Sequence, residues 1–369
     1  SGKYILMNDI VFTESDFAVG GPYYNGGQGW EPIGGSTYFS GIFDGNNFTV
    51  INLYINYRDD GTNSFVGLFG NNRGSIKNLG LYDNISLSSS TSAIYAGGIV
   101  GFNNGNIENC YNSGSISVET TSPSTISPQI GGIAGSNYNK GIISKCYNTG
   151  SVHAKSLASD TPGATAGGIV GVNDSNIESC YNTGSITAIS YSSSLMFGSA
   201  MAGGITARNN GVISNSYSTG TIRATADISY AYAGGAVGEN RGEIYRCFNK
   251  GDVSTILNDS SLLTCSAAGG LIGNNRGPIK DCYNLGNITA NSTPSSAFAG
   301  GIVGWNDTNI SNCYNIGGVS SFSSELSYKG AISGYGSDSI SNGYYLTGSG
   351  DGSASSVSLT EPQMRIASS

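Results

Sequence analysis

Between Ala96 and Ile116 the chain reads AGGIVGFNNGNIENCYNSGSI. Short apolar runs alternate with polar positions, and Gly or Asn interrupts them every five to eight residues. The pattern returns from Ile130, Ala166, Ala202, Ala233, Ala268 and Ala299, with a first copy from Val66 and a degraded last copy from Lys329. The second glycine of the pair falls at Gly98, Gly132, Gly168, Gly204, Gly235, Gly270 and Gly301, a spacing of 31 to 36 residues. Self-similarity at such a period is the signature of a repeat architecture. No run between the breaks is long enough for an amphipathic helix, and Gly and Asn are both poor helix formers. Runs such as GGIVG, IENCYN and SISV predict three short strands per repeat.

Three short strands in each repeat predict an all-β, single-stranded parallel β-helix, right-handed, of about nine coils. One coil cannot bury its own apolar face, so equivalent residues of stacked coils form ladders about 4.8 Å apart. Ile99, Ile107 and Ile116 mark three inward ladders. Cys110, Cys146, Cys180, Cys247, Cys282 and Cys313 share one slot, which Leu79, Ser216 and Gly343 also occupy. A slot open to leucine, serine and glycine does not hold a nucleophile. It predicts an inward small apolar group, and alternation then sends the following residue outward. The Asn and Gly of NNG, NRG and YNSG read as corner residues, Gly for its tolerance of positive φ. Stacked Asn side chains can also bond to one another. Ser/Thr/Pro-rich segments of about 10 to 16 residues, such as ETTSPSTISPQ and AKSLASDTPGAT, join one coil to the next and are expected to protrude from one edge. Residues 1–64 are expected to form a strand-rich cap continuous with the solenoid, 65–348 the repeats, and 349–369 a tail or the start of a further segment.

Composition adjusts this picture only slightly. Gly makes up 57 of 369 residues and charged side chains only 11%, which alone would suggest disorder. The 10% aromatic content and the regular Ile, Val and Leu argue for a packed interior. A net charge of −8 disfavours nucleic acid, which calls for basic stripes. No run of 18 apolar residues exists, so no membrane insertion is expected of this segment. The seven cysteines include no C-x-x-C, and the seventh, Cys265, is expected in a connecting segment. The opening SGKYILMNDI and the closing MRIASS read as the ends of a piece of a longer protein.

The repeat resembles the GLUG motif found in many bacterial surface proteins. The namesake residues stand as GLFG at Gly67–Gly70 and as GGIVG variants later. The opening YILMNDI…WEPIG…FSGIFDGNNFTVINLYI and the LTEPQMR from Leu359 are similar to segments flanking such arrays. The resemblance implies a bacterial protein at the cell surface or outside the cell, of a kind that includes adhesins, large cell-wall-anchored proteins and noncatalytic parts of IgA-cleaving metallopeptidases.

Candidate chemistry is sparse. A lone histidine, His153, cannot assemble H-E-x-x-H or Ser-His-Asp, and it reads as an ordinary surface or edge residue. Glycoside hydrolysis needs two carboxylates about 5–10 Å apart, yet the acidic residues change slots from coil to coil: Glu108 and Glu178 share one that elsewhere holds Lys77, Ser144 and Lys280. NDTN, NDSN and DGNN offer oxygen atoms but no calcium loop of the D-x-[DN]-x-[DN]-G type. No cofactor or metal is therefore expected. The slot after the cysteine holds Tyr111, Tyr147, Tyr181, Tyr217, Phe248, Tyr283 and Tyr314. Stacked coils would align these as an outward aromatic stripe, the candidate binding surface, although stacking alone would also select such a slot. The expected protein is a noncatalytic, monomeric surface domain, an adhesin or rigid spacer, with a host or matrix glycan or glycoprotein as partner. The alternative is a carbohydrate-active β-helix enzyme, which would show an open cleft with two acidic residues in range.

Overall fold

The computed structural model describes the chain except for residues 1, 57–63, 90–92, 122–126, 158–162, 192–197, 260–263, 338, 353–354 and 368–369, and, beyond the backbone, 365–367. The expected protruding segments lie largely outside the described residues. Three parallel sheets run the length of a β-solenoid, two of them nine-stranded. In one coil, Ile94–Gly97 belongs to the first sheet, Val100–Asn103 to the second, and Asn106–Glu108, Tyr111–Asn112 and Ser115–Thr120 to the third. Pairing is in register from coil to coil: Tyr95 with Gln129, Val100 with Ala134, Ile107 with Ile143, Tyr111 with Tyr147. Three faces per coil are as the repeat predicts, but their borders differ. GGIVG spans the corner between the first two sheets, and IENCYN with SISV forms the third.

The corner inside IENCYN comes from one residue. Asn78, Asn109, Lys145, Ser179, Asn215, Arg246, Asp281, Asn312 and Asn342, each just before the cysteine slot, all have φ between 51° and 56°. This left-handed kink lets Ile107 and Cys110, three residues apart, both face inward and be buried. Asn suits the conformation; Lys and Arg adopt it at a cost of about 1 kcal/mol, offset by the coil around them.

The glycines of the pair are not there for positive φ, since none of Gly98, Gly132 or Gly168 has it. They are there for space. A Cβ on Gly98 would lie 2.7 Å from the Gly132 carbonyl oxygen and 2.9 Å from Asn112 Cγ. The Asn112 amide fills the volume that the missing Cβ leaves. It donates to Asn148 Oδ1 (3.1 Å), and Asn148 to Asn182 (2.9 Å). A second buried amide ladder runs without a break from Asn72 through Asn103, Asn137, Asn173, Asn209, Asn240 and Asn275 to Asn306, at 2.8–2.9 Å a step. Most of these amides also serve their own turn, as Asn103 does Gly105, whereas Asn137 donates instead to Asn176 O of the next coil. The buried amides of these two ladders are thus hydrogen-bonded inside the core rather than left orphaned.

Between these ladders lie the apolar ones. Ile99, Ile133, Ile169 and Ile205 are fully buried, as are Ile107, Ile143 and Ile177. Cys110, Cys146, Cys180, Cys247, Cys282 and Cys313 are buried free thiols. Each points at the carbonyl two residues back, Cys110 to Glu108 O (3.3 Å) and Cys146 to Ser144 O (3.2 Å). Cys265 is not in a connecting segment: it opens the strand Cys265–Gly269 and is buried too.

The first residues extend the stack rather than forming a separate body. Lys3–Ile5 pairs with Ile42–Asp44, which pairs with Ser75–Lys77 of the repeats. Thr49–Ile55 pairs with Gly80–Ser89, with a register shift at Asn52. A short helix, Glu14–Phe17, and the rings of Phe12, Phe17, Tyr23 and Trp30 pack together over this end. At the other end Ser356–Leu359 adds a strand beside Ile340–Leu346, so the expected tail continues the third sheet before the helix Glu361–Ala367.

Candidate functional site

The seven residues of the stripe come together as one column. Neighbouring ring centroids are 4.9, 4.8, 5.1, 4.6, 4.8 and 4.9 Å apart from Tyr111 to Tyr314, with planes within 7° of parallel. That spacing is the coil-to-coil distance set by the sheet. Every ring is half-buried. The faces are consumed by neighbouring rings, so the column offers solvent its edges and phenol hydroxyls, not flat platforms. Burial, with the adjacent rings of Tyr181 and Tyr111, raises the Tyr147 pKa, and burial likewise raises Tyr181, Tyr283 and Tyr314. These hydroxyls remain proton donors. Phe248 interrupts the hydroxyl row but not the stack.

The column starts where it does for a steric reason. Gly80 occupies the slot before Tyr111, and a Cβ there would strike the Tyr111 ring. Tyr111 leans across it to share a hydrogen bond with the Thr49 hydroxyl (2.9 Å). Beside this end lies an open cleft of about 930 Å³. One wall is the segment from Phe12 to Ala18; the other includes the turns Ser113–Ser115 and Thr149–Ser151. Thr13 caps the helix reciprocally with Asp16, its backbone N–H and hydroxyl donating to Asp16 Oδ2 at 2.7 and 2.8 Å. Those bonds lower the Asp16 pKa.

Asp83 lines this cleft and is 3% exposed. The corresponding residue of the next coils is glycine: Gly114, then Gly150, then Gly184. A Cβ on Gly114 would collide with the Asp83 carboxyl. Neither carboxyl oxygen has a hydrogen-bond partner in another residue. Burial pushes its pKa up to about 8, so the group is largely uncharged at neutral pH. Its signal in the sequence is a departure from the repeat, GLYD where other coils have YNSG or YNTG, four residues after the Leu79 that fills the cysteine slot. Glu14 lines the same cleft.

Other acidic candidates are structural. Glu239 is buried and held by Arg208 (3.0 Å) and Arg241 (2.9 Å). Glu108 pairs with Lys145 at 2.8 Å in the open. His153 is a half-buried strand residue between Ser117 and Thr187; burial first, then Lys155, lowers its pKa.

The GLUG motif matches residues 92–117 and 127–152. These two coils are GLUG motifs. Each match runs from the connection before the first sheet to the start of the last strand, and so takes in the glycine pair, the amide corner and one ring of the column. No curated protein sequence matches the chain. Among solved structures, it is similar to a protein of Bacteroides ovatus described as a "putative immunoglobulin A1 protease", at 20% identity and a TM-score of 0.42, over 89% of this chain and 78% of that one.

Proposed function

We propose that this GLUG-repeat solenoid is a noncatalytic binding domain of an extracellular or cell-surface bacterial protein. It takes a host or matrix glycan or glycoprotein along its length, as an adhesin does. The observation that carries the reading is the column from Tyr111 to Tyr314: a half-exposed row of seven stacked rings, six of them phenols. With the ring faces occupied, recognition is by hydrogen bonds to the hydroxyls, repeated every coil. Weak contacts repeated on a rigid rod gain by avidity when the ligand is itself a polymer. The experiment is a panel of glycan polymers and mucins against the wild type and the triple change Tyr147→Phe, Tyr181→Phe, Tyr217→Phe. Phenylalanine keeps the stack, as Phe248 does, and removes only the hydroxyls. Loss of polymer binding by the folded triple variant supports the reading; unchanged binding refutes it.

A second reading, a carbohydrate-active enzyme, is favoured by one observation: the cleft that Glu14 and Asp83 line together. A protonated Asp83 in one cleft with a second carboxyl would supply the two roles that glycoside hydrolysis uses. Release of reducing ends from a polysaccharide by the wild type, and not by Glu14→Gln, would establish it.

A further inference from the structure

The cleft at the start of the array has a chemistry separate from the ring column. Its lining contains no lysine or arginine, which disfavours an anionic ligand. It is rich instead in aliphatic hydroxyls, from Thr13, Ser113, Ser115, Thr149 and Ser151. Besides Phe12 and Phe17, two tyrosine rings, Tyr54 and Tyr82, border it, and Tyr82 is 51% exposed. Unlike the column, neither ring lies in a stack of coplanar neighbours; Tyr54 is braced by Phe17 at 5.7 Å with the planes tilted by 58°. Hydroxyls that both donate and accept, with an apolar ring presented beside them, are the groups that meet a sugar's hydroxyls and its C–H face. The volume falls in the range of small-molecule sites, about 300–1,000 Å³. The walls are fixed before any ligand arrives, one by the capped helix and its aromatic cluster, the other by the stacked turns of two coils, so little ordering is needed on binding.

Asp83 is the part that folding alone does not account for. Every other coil of the array up to Gly317 has glycine in this slot, where the backbone of the neighbouring coil passes in contact. Only here does a carboxyl stand, buried and without a partner from another residue. An unpaired buried polar group costs free energy, about 1–3 kcal/mol, and it persists where the surroundings or a ligand give it a use. The titratable groups around it are few: Tyr54 from the strand Thr49–Ile55, Tyr82 from its own strand, and Glu14 from the short helix. The turns Ser113–Ser115 and Thr149–Ser151 contribute none.

We propose that the cleft is a binding site for a neutral saccharide unit, distinct from the ring column, in which Asp83 supplies the hydrogen-bonding group that the fold leaves unused and Tyr82 the ring on which the sugar rests. Both carboxyl oxygens are shielded from solvent in this structure, so the Asp83 side chain turns into the cleft on binding; protonated at neutral pH, it then offers an O–H donor and a carbonyl acceptor to a ligand hydroxyl. Ionisation removes the donor and places an uncompensated charge against the ligand.

The test uses soluble neutral oligosaccharides (malto-, cello-, manno- and chito-oligosaccharides) with the full chain, by calorimetry at about pH 6 and about pH 9.5, on either side of the Asp83 pKa. At the lower pH a member of the panel binds the wild type, and affinity falls about tenfold or more at the higher pH. Asp83→Asn keeps the shape and abolishes this pH dependence. Tyr82→Ala, at an exposed position, weakens binding about tenfold at both pH values. The triple phenylalanine variant of the column binds these short ligands as the wild type does, so failure of this site and failure of the column are read separately. The proposal is overturned if no member of the panel binds, if Tyr82→Ala binds normally, or if the pH response is the same in Asp83→Asn. It is also overturned if an oligolysine probe binds in place of sugars, since the cleft would then be an ammonium site.

Discussion

Asp83 makes the most distinctive prediction at the scale of single residues. Its pKa in the folded chain is about 8, raised by burial from an ordinary 3.8. Between those values the folded protein holds a proton that the unfolded chain has released. The contribution of this one group to stability is therefore greatest below about pH 4, falls as pH rises toward about 8, and is level above, with a slope of at most about 1.4 kcal/mol per pH unit. Chemical denaturation of the wild type across this window shows that fall. Asp83→Gly, which installs the residue the other coils carry, removes this component of the slope and is the more stable protein at about pH 8. A wild-type slope unchanged in the variant would mean that Asp83 is already ionised or partnered. The thiols give a second prediction. Burial raises Cys146, Cys180, Cys247 and Cys282 well above the usual thiol range. Labelling with a thiol reagent is slow in the folded protein and fast only in denaturant, because the thiolate is the reactive form. Rapid native labelling of Cys180 would contradict the inward ladder.

At the scale of the strand and the corner, the difference between inward and outward slots has an energetic consequence. Ile169→Ala leaves a cavity in a ladder with no exposure and costs about 2–5 kcal/mol. Tyr181→Ala loses two ring neighbours and part of an exposed surface, and costs less, about 0.5–1.5 kcal/mol for each stacked pair. Gly150→Ala drives a methyl group into the Gly114 carbonyl and costs about 1–3 kcal/mol despite its small size. Thermal or urea denaturation of the three variants ranks them, and equal losses at Ile169 and Tyr181 would reverse the phase of the strand. Much of this element was legible in the sequence, because a fixed period turns each slot into several readings of one environment. Cys, Leu, Ser and Gly sharing a slot reveal an inward site more securely than any one of them does. The kink before the cysteine was not legible, since Asn, Lys, Ser, Arg and Asp all occupy it and share no side-chain chemistry. What they share is a backbone angle. The corner glycines of NRG, NNG and YNSG were read for positive φ, the common reason for glycine, whereas none of Gly74, Gly105 and Gly114 has it and the backbone of a neighbouring coil takes the space. Asp83 stands four residues after Leu79, as Gly114 does after Cys110, so its departure from the glycine slot was legible; its burial without a partner was not.

At the scale of the whole molecule, stability is a sum over coils and the interfaces between them, and the same repetition builds the surface. The apolar and amide ladders hold the coils at the spacing at which tyrosines stack. Stacking in turn fixes each hydroxyl at the same height in every coil. A column of seven rings with a hydroxyl on all but Phe248 is poorly suited to a small ligand and well suited to a long one. As proposed, the column would take a long ligand and the cleft at its start a single unit. The direct test of the central claim is the affinity of a glycan polymer as a function of its chain length, measured by biolayer interferometry on immobilised wild type and on the triple Tyr147→Phe, Tyr181→Phe, Tyr217→Phe variant, both confirmed folded by their thermal transitions. Affinity for the wild type rises steeply with polymer length, by about a hundredfold or more between a unit spanning one coil and one spanning several, and the variant loses that rise. Equal affinity at all lengths, or a rise that the variant retains, would contradict a binding function for the tyrosine column.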